Sequence, residues 1–345
     1  MARERIVSGE KQPEDTGGEQ YNPALRPKKL REYIGQSELI EKVRIAVEAA
    51  KTRGEPMEHV LLSGPPGLGK TTLANIIADE MNGSPPKITS GPALVKPGDL
   101  VGVLTNLKRG DVLFIDEIHR MSHIVEEYLY PAMENFCVDV IMDSGAHAQV
   151  MNIPLQPFTL IGATTRTGLI SSPMRSRFGI AHHLAYYSPA DLYKIVVRSA
   201  ELLKLPAEKD ALLQIAARSR GTPRVANRLL RRVRDFAVVR AAGKLTLDVL
   251  DQALALEGID QLGLDPLDRR FLTIMSRDYE GGPVGIDAMA ATMGEERDTL
   301  EDVVEPFLLQ TGFIRRTPKG RQMTAAAYGH LGLDAPVQKD DDTLF

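Results

Sequence analysis

Cysteine and tryptophan are nearly absent from this chain of 345 residues, which has one cysteine, Cys137, and no tryptophan. A single thiol cannot form an internal disulfide, so the composition excludes the disulfide-stapled class and indicates a buried, unreactive thiol. Arg3 and Arg5 are followed by no apolar run, and the sequence contains no stretch typical of a transmembrane helix. We therefore expect a cytoplasmic protein with no membrane partner.

A strong excess of charge is also absent, because 42 basic and 46 acidic residues give a net charge of −4. This balance excludes a nucleic-acid-binding coat over the whole surface, although charge can still be local. The length and a hydrophobic content of 43% predict two or three domains with real cores. The polar segments 1–20 and 333–345 are expected to be disordered.

The most informative segment is a glycine-rich loop, residues 64–72, which reads GPPGLGKTT and follows an apolar run. Backbone amides of such a loop surround a β-phosphate, and the next helix points its positive N-terminus at the anion. Lys70 is predicted to reach the β- and γ-phosphates, Thr71 to hold Mg²⁺, and Thr72 to continue the helix start. The alternative, a turn that happens to end in Lys-Thr, does not explain the flanking strand and helix patterns.

A second apolar run, residues 112–115, ends in Asp116 and Glu117. A buried parallel strand delivers such carboxylates to the phosphate site. We expect Asp116 to anchor Mg²⁺ through water, and Glu117 to orient the water that attacks the γ-phosphate. Taken alone, the pair is typical of a solvated strand end. Downstream of a phosphate loop, it predicts hydrolysis.

Strand and helix patterns alternate through a first domain, residues 21–187, which predicts an α/β fold with a parallel sheet covered by helices on both faces. The predicted strands are 59–62, 87–89, 112–115, 159–162 and 183–187, and the predicted helices are 37–51, 70–81 and 122–134. A small helical domain, residues 188–257, follows, with predicted helices at 190–204, 208–219, 223–241 and 246–255. Thr222 is expected to cap the third of these helices, with Pro223 in its first turn.

The third predicted unit, residues 258–332, combines a helix at 266–279, a helix-turn-helix spacing over 286–310 and a basic hairpin over 313–323. This pattern predicts a winged helix, and the alternative is a generic protein-interaction module. Residues 258–330 carry eight basic and twelve acidic side chains, so DNA contacts are expected only at the wing and helix ends. The predicted DNA ligands are Arg297, Arg315, Arg316 and Arg321.

Further polar residues complete the predicted ATPase site. Thr165 follows the strand expected beside Asp116, where it can sense the γ-phosphate or hold the attacking water. Arg175 and Arg177 lie between two predicted strands and have no evident partner in their own site. One interpretation is that an arginine of this pair contacts the γ-phosphate bound by a neighbouring subunit, and the alternative is a pair of surface arginines. Arg224 opens a helix of the small domain and could reach the γ-phosphate when that domain closes as a lid. The remaining arginines of that helix, Arg228, Arg231, Arg232 and Arg234, are expected on a solvated or intersubunit face.

These residues together resemble the AAA+ ATPases, and most closely the bacterial RuvB family of Holliday-junction branch-migration motors. The strings that carry the resemblance are the 64–72 loop, LFIDEIHR at 113–120, GATTR at 162–166, RSRFG at 175–179 and GTPR at 221–224, supported by LRP at 25–27, YIGQ at 33–36, SGPA at 90–93, YPAME at 130–134, ANRLLRRV at 226–233 and GPVG at 282–285.

The resemblance implies roles residue by residue. It implies that Arg177 acts in trans, with Arg175 as its rival, and that Arg224 is a second sensor. It also implies an ATP site with Mg²⁺. The implied adenine contacts are Leu25, Arg26, Tyr33 and Ile34, with Tyr187 nearby, and the implied phosphate contacts are Gly64, Gly67, Gly69, Lys70, Thr71 and Thr72. Further nucleotide contacts are implied for Glu134, Asn135 and Phe136.

Residues 137–142 and 150–155 flank Asp143–Ala146, which predicts a hairpin. Met151, Ile153 and Leu155 alternate on one face, and in the family such a hairpin grips RuvA, the junction-binding partner. The alternative is a hairpin packed on its own domain. The predicted tip lacks the basic residues that the family pattern leads us to expect.

The resemblance implies a hexameric ring that translocates double-stranded DNA and drives branch migration in recombination and DNA repair, with a RuvA-like partner and a resolvase. Three alternatives remain at this point. A clamp or helicase loader would need an oligomerising collar in place of the predicted wing, and a protein unfoldase would need an aromatic pore loop, which residues 95–99 lack. An ATP-gated DNA-binding regulator would not need Glu117.

Overall fold

The computed structural model of the protein describes residues 23–142 and 149–334. The predicted disordered segment 1–20, the predicted hairpin tip Asp143–Ala146, and the predicted disordered tail from residue 335 onward lie outside the described residues. In the two described stretches, no helix has both the length and the apolar character needed to cross a membrane.

The first unit contains a parallel sheet and a separate hairpin. Its strands are β1 (Val60–Ser63), β2 (Lys87–Ser90), β3 (Val112–Asp116), β4 (Cys137–Met142), β5 (Gln149–Pro154), β6 (Thr159–Thr164) and β7 (Ile180–His183). Five of them form the sheet in the order β2-β3-β6-β1-β7, with every pairing parallel. The predicted α/β fold with a parallel sheet is confirmed.

The strand register brings the chemically informative residues to one edge of the sheet. Ser63 at the end of β1 pairs with Thr164, and Ile115 near the end of β3 pairs with Gly162. Because parallel strands end at the same edge, the loop after β1 and Asp116 after Ile115 face the same space. All four residues of β1 are buried, as expected for the central strand of a covered sheet.

Helices cover both faces of this sheet. They are α1 (Ser37–Arg53), α2 (Lys70–Asn82), α3 (Pro97–Thr105), α4 (His123–Asn135) and α5 (Ser172–Ser176). The sequence pattern does not predict α3, because Gly98 and Gly102 weaken its helical signal. Its start was nevertheless visible, since Pro97 occupies the first turn and the Asp99 carboxylate accepts a hydrogen bond from the Lys96 amide at 2.9 Å.

The last predicted strand of the sheet, 183–187, was placed wrongly. The strand is Ile180–His183, and Val60 of β1 pairs with Ile180. The following segment leaves the sheet toward the second unit, where the Tyr187 amide donates to the Gly221 carbonyl at 2.9 Å. Its apolar and aromatic side chains therefore reflect burial between two units, and not a place in the sheet.

The hairpin of β4 and β5 packs its base on the first unit and exposes its outer part. In its register, Val138 lies opposite Ile153 and Val140 opposite Met151. Val138 and Leu155 are buried in the core, whereas Met151 retains 49% of its exposure. The alternative of a hairpin packed on its own domain therefore holds for the base and not for the outer strand.

The second unit is a helical bundle whose core continues the core around α1 and α2. Its helices are α6 (Pro189–Leu202), α7 (Lys209–Ala217), α8 (Pro223–Arg240) and α9 (Leu247–Leu256). The predicted start of α8 is confirmed, because the Thr222 hydroxyl accepts from the Val225 amide and Pro223 lies in the first turn.

The third unit is a helix-turn-helix followed by a two-stranded wing. Its elements are α10 (Pro266–Asp278), α11 (Ile286–Met293), α12 (Arg297–Thr299), a π-helical segment (Leu300–Val304), α13 (Glu305–Gln310), β8 (Ile314–Thr317), β9 (Gly320–Met323) and α14 (Ala325–Leu331). The second helix of the predicted helix-turn-helix runs without a break from Arg297 to Gln310, and its hydrogen-bond ladder is rearranged into the π segment just before Pro306, which has no amide hydrogen.

Arg220 joins the second unit to the third. Its guanidinium forms ion pairs with Asp265 at 2.8 Å and with Asp268 at 2.5 Å, and its Nε donates to the Gly263 carbonyl at 2.9 Å. The same guanidinium lies 4.8 Å from the ring centroid of Phe307. Asp268 is fully buried, and burial raises its pKa to about 7 while Arg220 opposes that shift. These contacts fix the winged helix against the helical unit.

Replacement of Arg220 by leucine is expected to lower the free energy of unfolding of this junction by about 3–5 kcal/mol, because it leaves Asp268 buried without its cation. Calorimetric melting of the full chain measures the change, and Arg240→Leu at the exposed end of α8 is the matched control. Equal melting temperatures for the two variants would contradict this account of the junction.

Candidate functional site

The phosphate loop adopts a conformation that only glycine fits at two key positions. Gly69 has φ +103°, and a Cβ there would lie 2.6 Å from the Tyr33 hydroxyl. Gly67 has φ +82°, and a Cβ there would lie 3.0 Å from the Arg224 Cβ. Both glycines therefore permit a left-handed backbone and a close approach of neighbouring side chains. The loop ends at Lys70, the first residue of α2, so a free helix N-terminus faces the site.

Lys70 is folded onto the loop and poised for an anion. Its Nζ donates to the Gly64 carbonyl at 2.6 Å and to the Pro65 carbonyl at 2.9 Å. Burial lowers its pKa to about 8, and the carboxylates of Asp116 and Glu117 oppose that shift. A phosphate group would supply the negative charge that neutral carbonyls lack.

The two acids lie where the strand pattern predicted them, at the end of β3. The Asp116 carboxylate accepts a hydrogen bond from the Glu117 amide at 3.0 Å. Glu117 has a left-handed backbone with φ +48°, a conformation that is uncommon for a residue with a side chain and is concentrated at functional sites. Burial, and then the charge of Asp116, raises the pKa of Glu117. A carboxylate with a raised pKa is a better proton acceptor.

A cavity of about 290 Å³ lies between the sheet edge and the helical unit. It gathers most of the predicted nucleotide residues, namely Leu25, Arg26, Tyr33, Ile34, Gly67, Gly69, Lys70, Thr71, Thr72, Asp116, Glu117, Thr165, Tyr187 and Arg224. Several predicted contacts lie outside its lining, namely Gly64, Glu134, Asn135, Phe136, Arg175 and Arg177. The cavity size and its mixture of apolar and charged walls suit a nucleotide.

The cavity is also lined by residues that the sequence patterns do not indicate. They are Pro27, Glu32, Pro66, Ile195, Arg198, Pro223, Asn227 and Arg231. Arg231, which was expected on a solvated or intersubunit face, is among them. The helical repeat of α8 offered a signal, because Arg224, Asn227 and Arg231 recur at spacings of three and four residues on one face.

Two tyrosines and an arginine form hydrogen bonds at the end of the cavity that is predicted to hold the adenine. The hydroxyls of Tyr33 and Tyr187 lie 3.1 Å apart, and each donates to the Leu68 carbonyl, at 3.4 and 3.2 Å. Arg198 of α6 donates to the Leu25 carbonyl at 2.8 Å and forms an ion pair with Glu32 at 3.4 Å. The N-terminal segment is thereby held between the phosphate loop and the helical unit.

The helical unit packs directly on the phosphate loop. The Arg224 amide donates to the Gly67 carbonyl at 3.3 Å. On the opposite side, Arg166 at the end of β6 forms ion pairs with Asp298 at 3.0 Å and Asp302 at 3.4 Å of the third unit. The edge of the sheet that carries the site is therefore joined to the helical unit through Arg224 and to the third unit through Arg166.

Arg175 and Arg177 lie away from the cavity of their own chain. Arg175 is exposed and donates to the Thr167 carbonyl at 2.7 Å. Arg177 was expected to have no partner in its own site, but it forms an ion pair with Glu134 at 3.0 Å and lies 4.2 Å from the ring centroid of Tyr130. The helix pattern could not reveal this contact, because Glu134 belongs to α4 and Arg177 follows α5.

Comparison with known families accounts for nearly the whole chain. A model of the Holliday junction DNA helicase RuvB P-loop domain matches residues 25–184, a model of the RuvB AAA lid domain matches 187–260, and a model of the RuvB C-terminal winged helix domain matches 261–332. The chain belongs to the RuvB family. It is therefore an AAA+ P-loop ATPase, as the sequence motifs predicted.

Individual RuvB proteins are similar over almost their full length. The Holliday junction branch migration complex subunit RuvB of Desulfosudis oleivorans is 56% identical over 320 residues, which is 93% of this chain and 92% of that protein. The structure of the Thermotoga maritima RuvB Holliday junction branch migration motor is 51% identical with a TM-score of 0.83, and the match covers 91% of this chain and 100% of that one. A point mutant of the same Thermotoga protein has a TM-score of 0.84. The predicted winged helix is confirmed by these matches.

Proposed function

We propose that this RuvB-family ATPase drives branch migration of Holliday junctions in recombination and DNA repair by translocating double-stranded DNA. One observation carries the proposal. The helical unit covers the cavity that contains the phosphate loop, Asp116 and Glu117, and Arg220 joins this helical unit, the lid, to the winged helix. Nucleotide chemistry and a DNA-binding element are thereby linked within one chain. We propose the unit boundaries 21–187, 188–257 and 258–332 for the motor, lid and winged helix.

ATP is the proposed nucleotide, with its adenine against Leu25, Arg26, Tyr33 and Ile34 and with Tyr187 nearby. Lys70 would exchange its two loop carbonyls for phosphate oxygens. The hydroxyl of Thr71 and the carboxylate of Asp116 both line the cavity, and hard oxygen ligands of this kind fit Mg²⁺, which would neutralise phosphate charge when bound. Thr72 extends the helix N-terminus that faces the phosphates.

Hydrolysis is assigned to residues at the γ-phosphate end. Glu117 accepts a proton from the attacking water and orients it, and Thr165 contacts the water or the γ-phosphate. Arg224 reads the γ-phosphate from the lid, so loss of that phosphate releases the lid. Because Arg220 fixes the winged helix to the lid, lid rotation moves the bound DNA.

A homo-hexameric ring is proposed because Arg177 does not line its own cavity. In a head-to-tail ring each subunit can present this arginine to the neighbouring site, together with Glu134, Asn135 and Phe136 from the same surface. Arg175 remains the rival donor. The contact with Glu134 holds the Arg177 guanidinium in place until a γ-phosphate in the neighbouring site competes for it.

DNA phosphates are the proposed ligands of the wing. Arg315 and Arg316 are exposed, whereas Arg321 forms an ion pair with the fully buried Glu305, which Arg316 also contacts. Burial would raise the pKa of Glu305, but the hydrogen bonds from Arg316 and Arg321 outweigh it and the pKa is lowered. Arg315 donates to the neutral Gln322, so its positive charge is the most available to a phosphate.

Arg297 is the remaining proposed DNA contact, and it forms ion pairs with Asp287 and Glu301.

The exposed outer part of the β4–β5 hairpin is the proposed docking site for a RuvA-like junction-binding protein. Met151 is exposed there, Ile153 is partly buried, and Leu155 is buried at the base, so Met151 offers the contact surface. A resolvase is proposed as a further member of the complex, and work on junction DNA implies a cytoplasmic location.

The proposal is tested with a synthetic four-way junction, with and without the junction-binding partner. The wild-type protein with ATP and Mg²⁺ is expected to convert the junction into two duplexes, and Lys70→Ala is expected to lose that activity because it lacks the phosphate-binding cation. Binding should weaken steeply with salt and depend little on sequence. The proposal would be overturned if the rate of ATP hydrolysis were the same with and without junction DNA and no strand exchange occurred at any salt concentration.

A further inference from the structure

His119 lies beneath the catalytic edge of the site and outside the cavity lining. It belongs to a 3₁₀ turn, Ile118–Arg120, directly after the two acids. Its side chain is only 4% exposed. One ring nitrogen, Nδ1, lies 2.9 Å from the Thr164 hydroxyl, and the other, Nε2, lies 3.4 Å from the Glu117 carboxylate. A buried imidazole therefore bridges β6 and the proposed catalytic acid.

The hydrogen-bond pattern gives this bridge a direction. The Thr164 hydroxyl oxygen accepts from the Arg166 amide at 3.0 Å, so its own hydrogen is available for His119 Nδ1. Burial, together with the nearby cations Arg166 and Arg120, lowers the pKa of His119 and favours the neutral ring. A neutral ring that accepts at Nδ1 carries its hydrogen on Nε2, which faces the carboxylate of Glu117.

Glu117 needs such a partner because its surroundings fix its backbone and not its carboxylate. Its amide is held by Asp116, and Gly91 leaves room for its carbonyl, since a Cβ on Gly91 would clash with that oxygen. The Glu117 side chain is 34% exposed, and its carboxylate stands beside the like charge of Asp116, which favours rotation away from the site. The Nε2 hydrogen of His119 opposes that rotation.

We propose that His119 is a positioning residue for ATP hydrolysis, which holds the Glu117 carboxylate through a hydrogen-bond chain that starts at Thr164. The two adjacent threonines then have different tasks: Thr165 faces the nucleotide cavity, and the fully buried Thr164 acts on His119. The proposal rests on the assignment of Glu117 as the residue that activates water. Positioning partners of this kind change activity by roughly 10- to 100-fold when they are removed.

Three substitutions of His119 separate positioning from packing. Asn keeps a group near Nδ1 but is too short to reach Glu117, Gln places an amide donor near Nε2, and Phe fills the space without hydrogen bonds. For the full-length protein on junction DNA, we expect kcat for ATP hydrolysis to fall roughly 10- to 100-fold in His119→Asn and His119→Phe. We expect His119→Gln to recover part of the rate. Thr164→Val should resemble His119→Asn.

Binding of a fluorescent ATP analogue should be unchanged in these variants, because His119 does not line the cavity. The deciding measurement is a single-turnover double-mutant cycle, in which His119→Asn is expected to add nothing once Glu117 is already Gln. Wild-type turnover in His119→Asn, a matching loss of nucleotide affinity, or full additivity with Glu117→Gln would each overturn the positioning role. Wild-type hydrolysis in Glu117→Gln alone would instead overturn the proposed function of Glu117.

Discussion

Arg177→Ala is expected to slow ATP hydrolysis by about 10³- to 10⁵-fold, which corresponds to roughly 4–7 kcal/mol of transition-state stabilisation. The physical reason is the negative charge that the γ-phosphate oxygens carry during transfer, which a guanidinium neutralises in a site from which water is excluded. Arg177 is absent from the lining of its own cavity, so the contacts of that cavity with ATP remain in the variant, which should still bind ATP. Steady-state turnover and equilibrium binding of a fluorescent ATP analogue measure the two effects separately.

Arg175→Ala is the matched control, since Arg175 is close in sequence, carries the same charge and donates to the Thr167 carbonyl. It is expected to cost much less, because its side chain is exposed and makes no ion pair among the described residues. A larger loss in Arg175→Ala than in Arg177→Ala would exchange the two assignments. Comparable small losses in both would contradict an arginine finger in this segment.

Glu117→Gln is expected to reduce turnover by about 10²- to 10⁴-fold while ATP and Mg²⁺ still bind. Glutamine keeps the shape of the side chain but cannot accept a proton, and Asp116 and Thr71 remain available for the metal. Glu38→Gln on α1 is the control, because Glu38 is exposed and pairs only with Lys42 among the described residues. Hydrolysis at the wild-type rate in Glu117→Gln would contradict the assigned mechanism.

The residues that meet at the sheet edge could be located from the sequence, because they belong to short local segments. A phosphate loop, an apolar strand and the acids that end it are contiguous strings, and a parallel sheet aligns their ends. The same logic failed at 183–187, where apolar residues are buried between two units and not in the sheet. Local pattern cannot distinguish those two kinds of burial.

Several cavity residues that the sequence patterns do not indicate come from a different unit of the chain. Ile195, Arg198, Asn227 and Arg231 reach the nucleotide cavity only because α6 and α8 fold back over the phosphate loop. These residues are far from that loop in sequence, so local sequence patterns cannot predict the contact. The junction at Arg220 was hidden for the same reason.

Charge patterns were equally limited for the wing. The sequence shows three arginines near one hairpin, but only the structure shows that Arg321 and Arg316 share Glu305 while Arg315 does not. A count of basic residues gives the location of a phosphate-binding surface. The distribution of carboxylate partners decides which of its cations are available.

A composite active site at the boundary between subunits is the central claim, and mixing two inactive variants tests it most directly. Lys70→Ala subunits cannot bind ATP but retain Arg177, whereas Arg177→Ala subunits bind ATP but lack the finger. In a closed ring formed from equal amounts, roughly a quarter of the sites combine an intact Lys70 with a neighbour's Arg177. Arg177→Ala mixed with the double variant Lys70→Ala/Arg177→Ala is the control that offers no finger.

The account predicts that the first mixture hydrolyses ATP on junction DNA well above the sum of its separate components, up to roughly a quarter of the wild-type rate. The control mixture should remain inactive. Activity in the first mixture that never exceeds the sum of its components, or full wild-type turnover by an isolated monomer without DNA, would contradict a site completed by the neighbouring subunit.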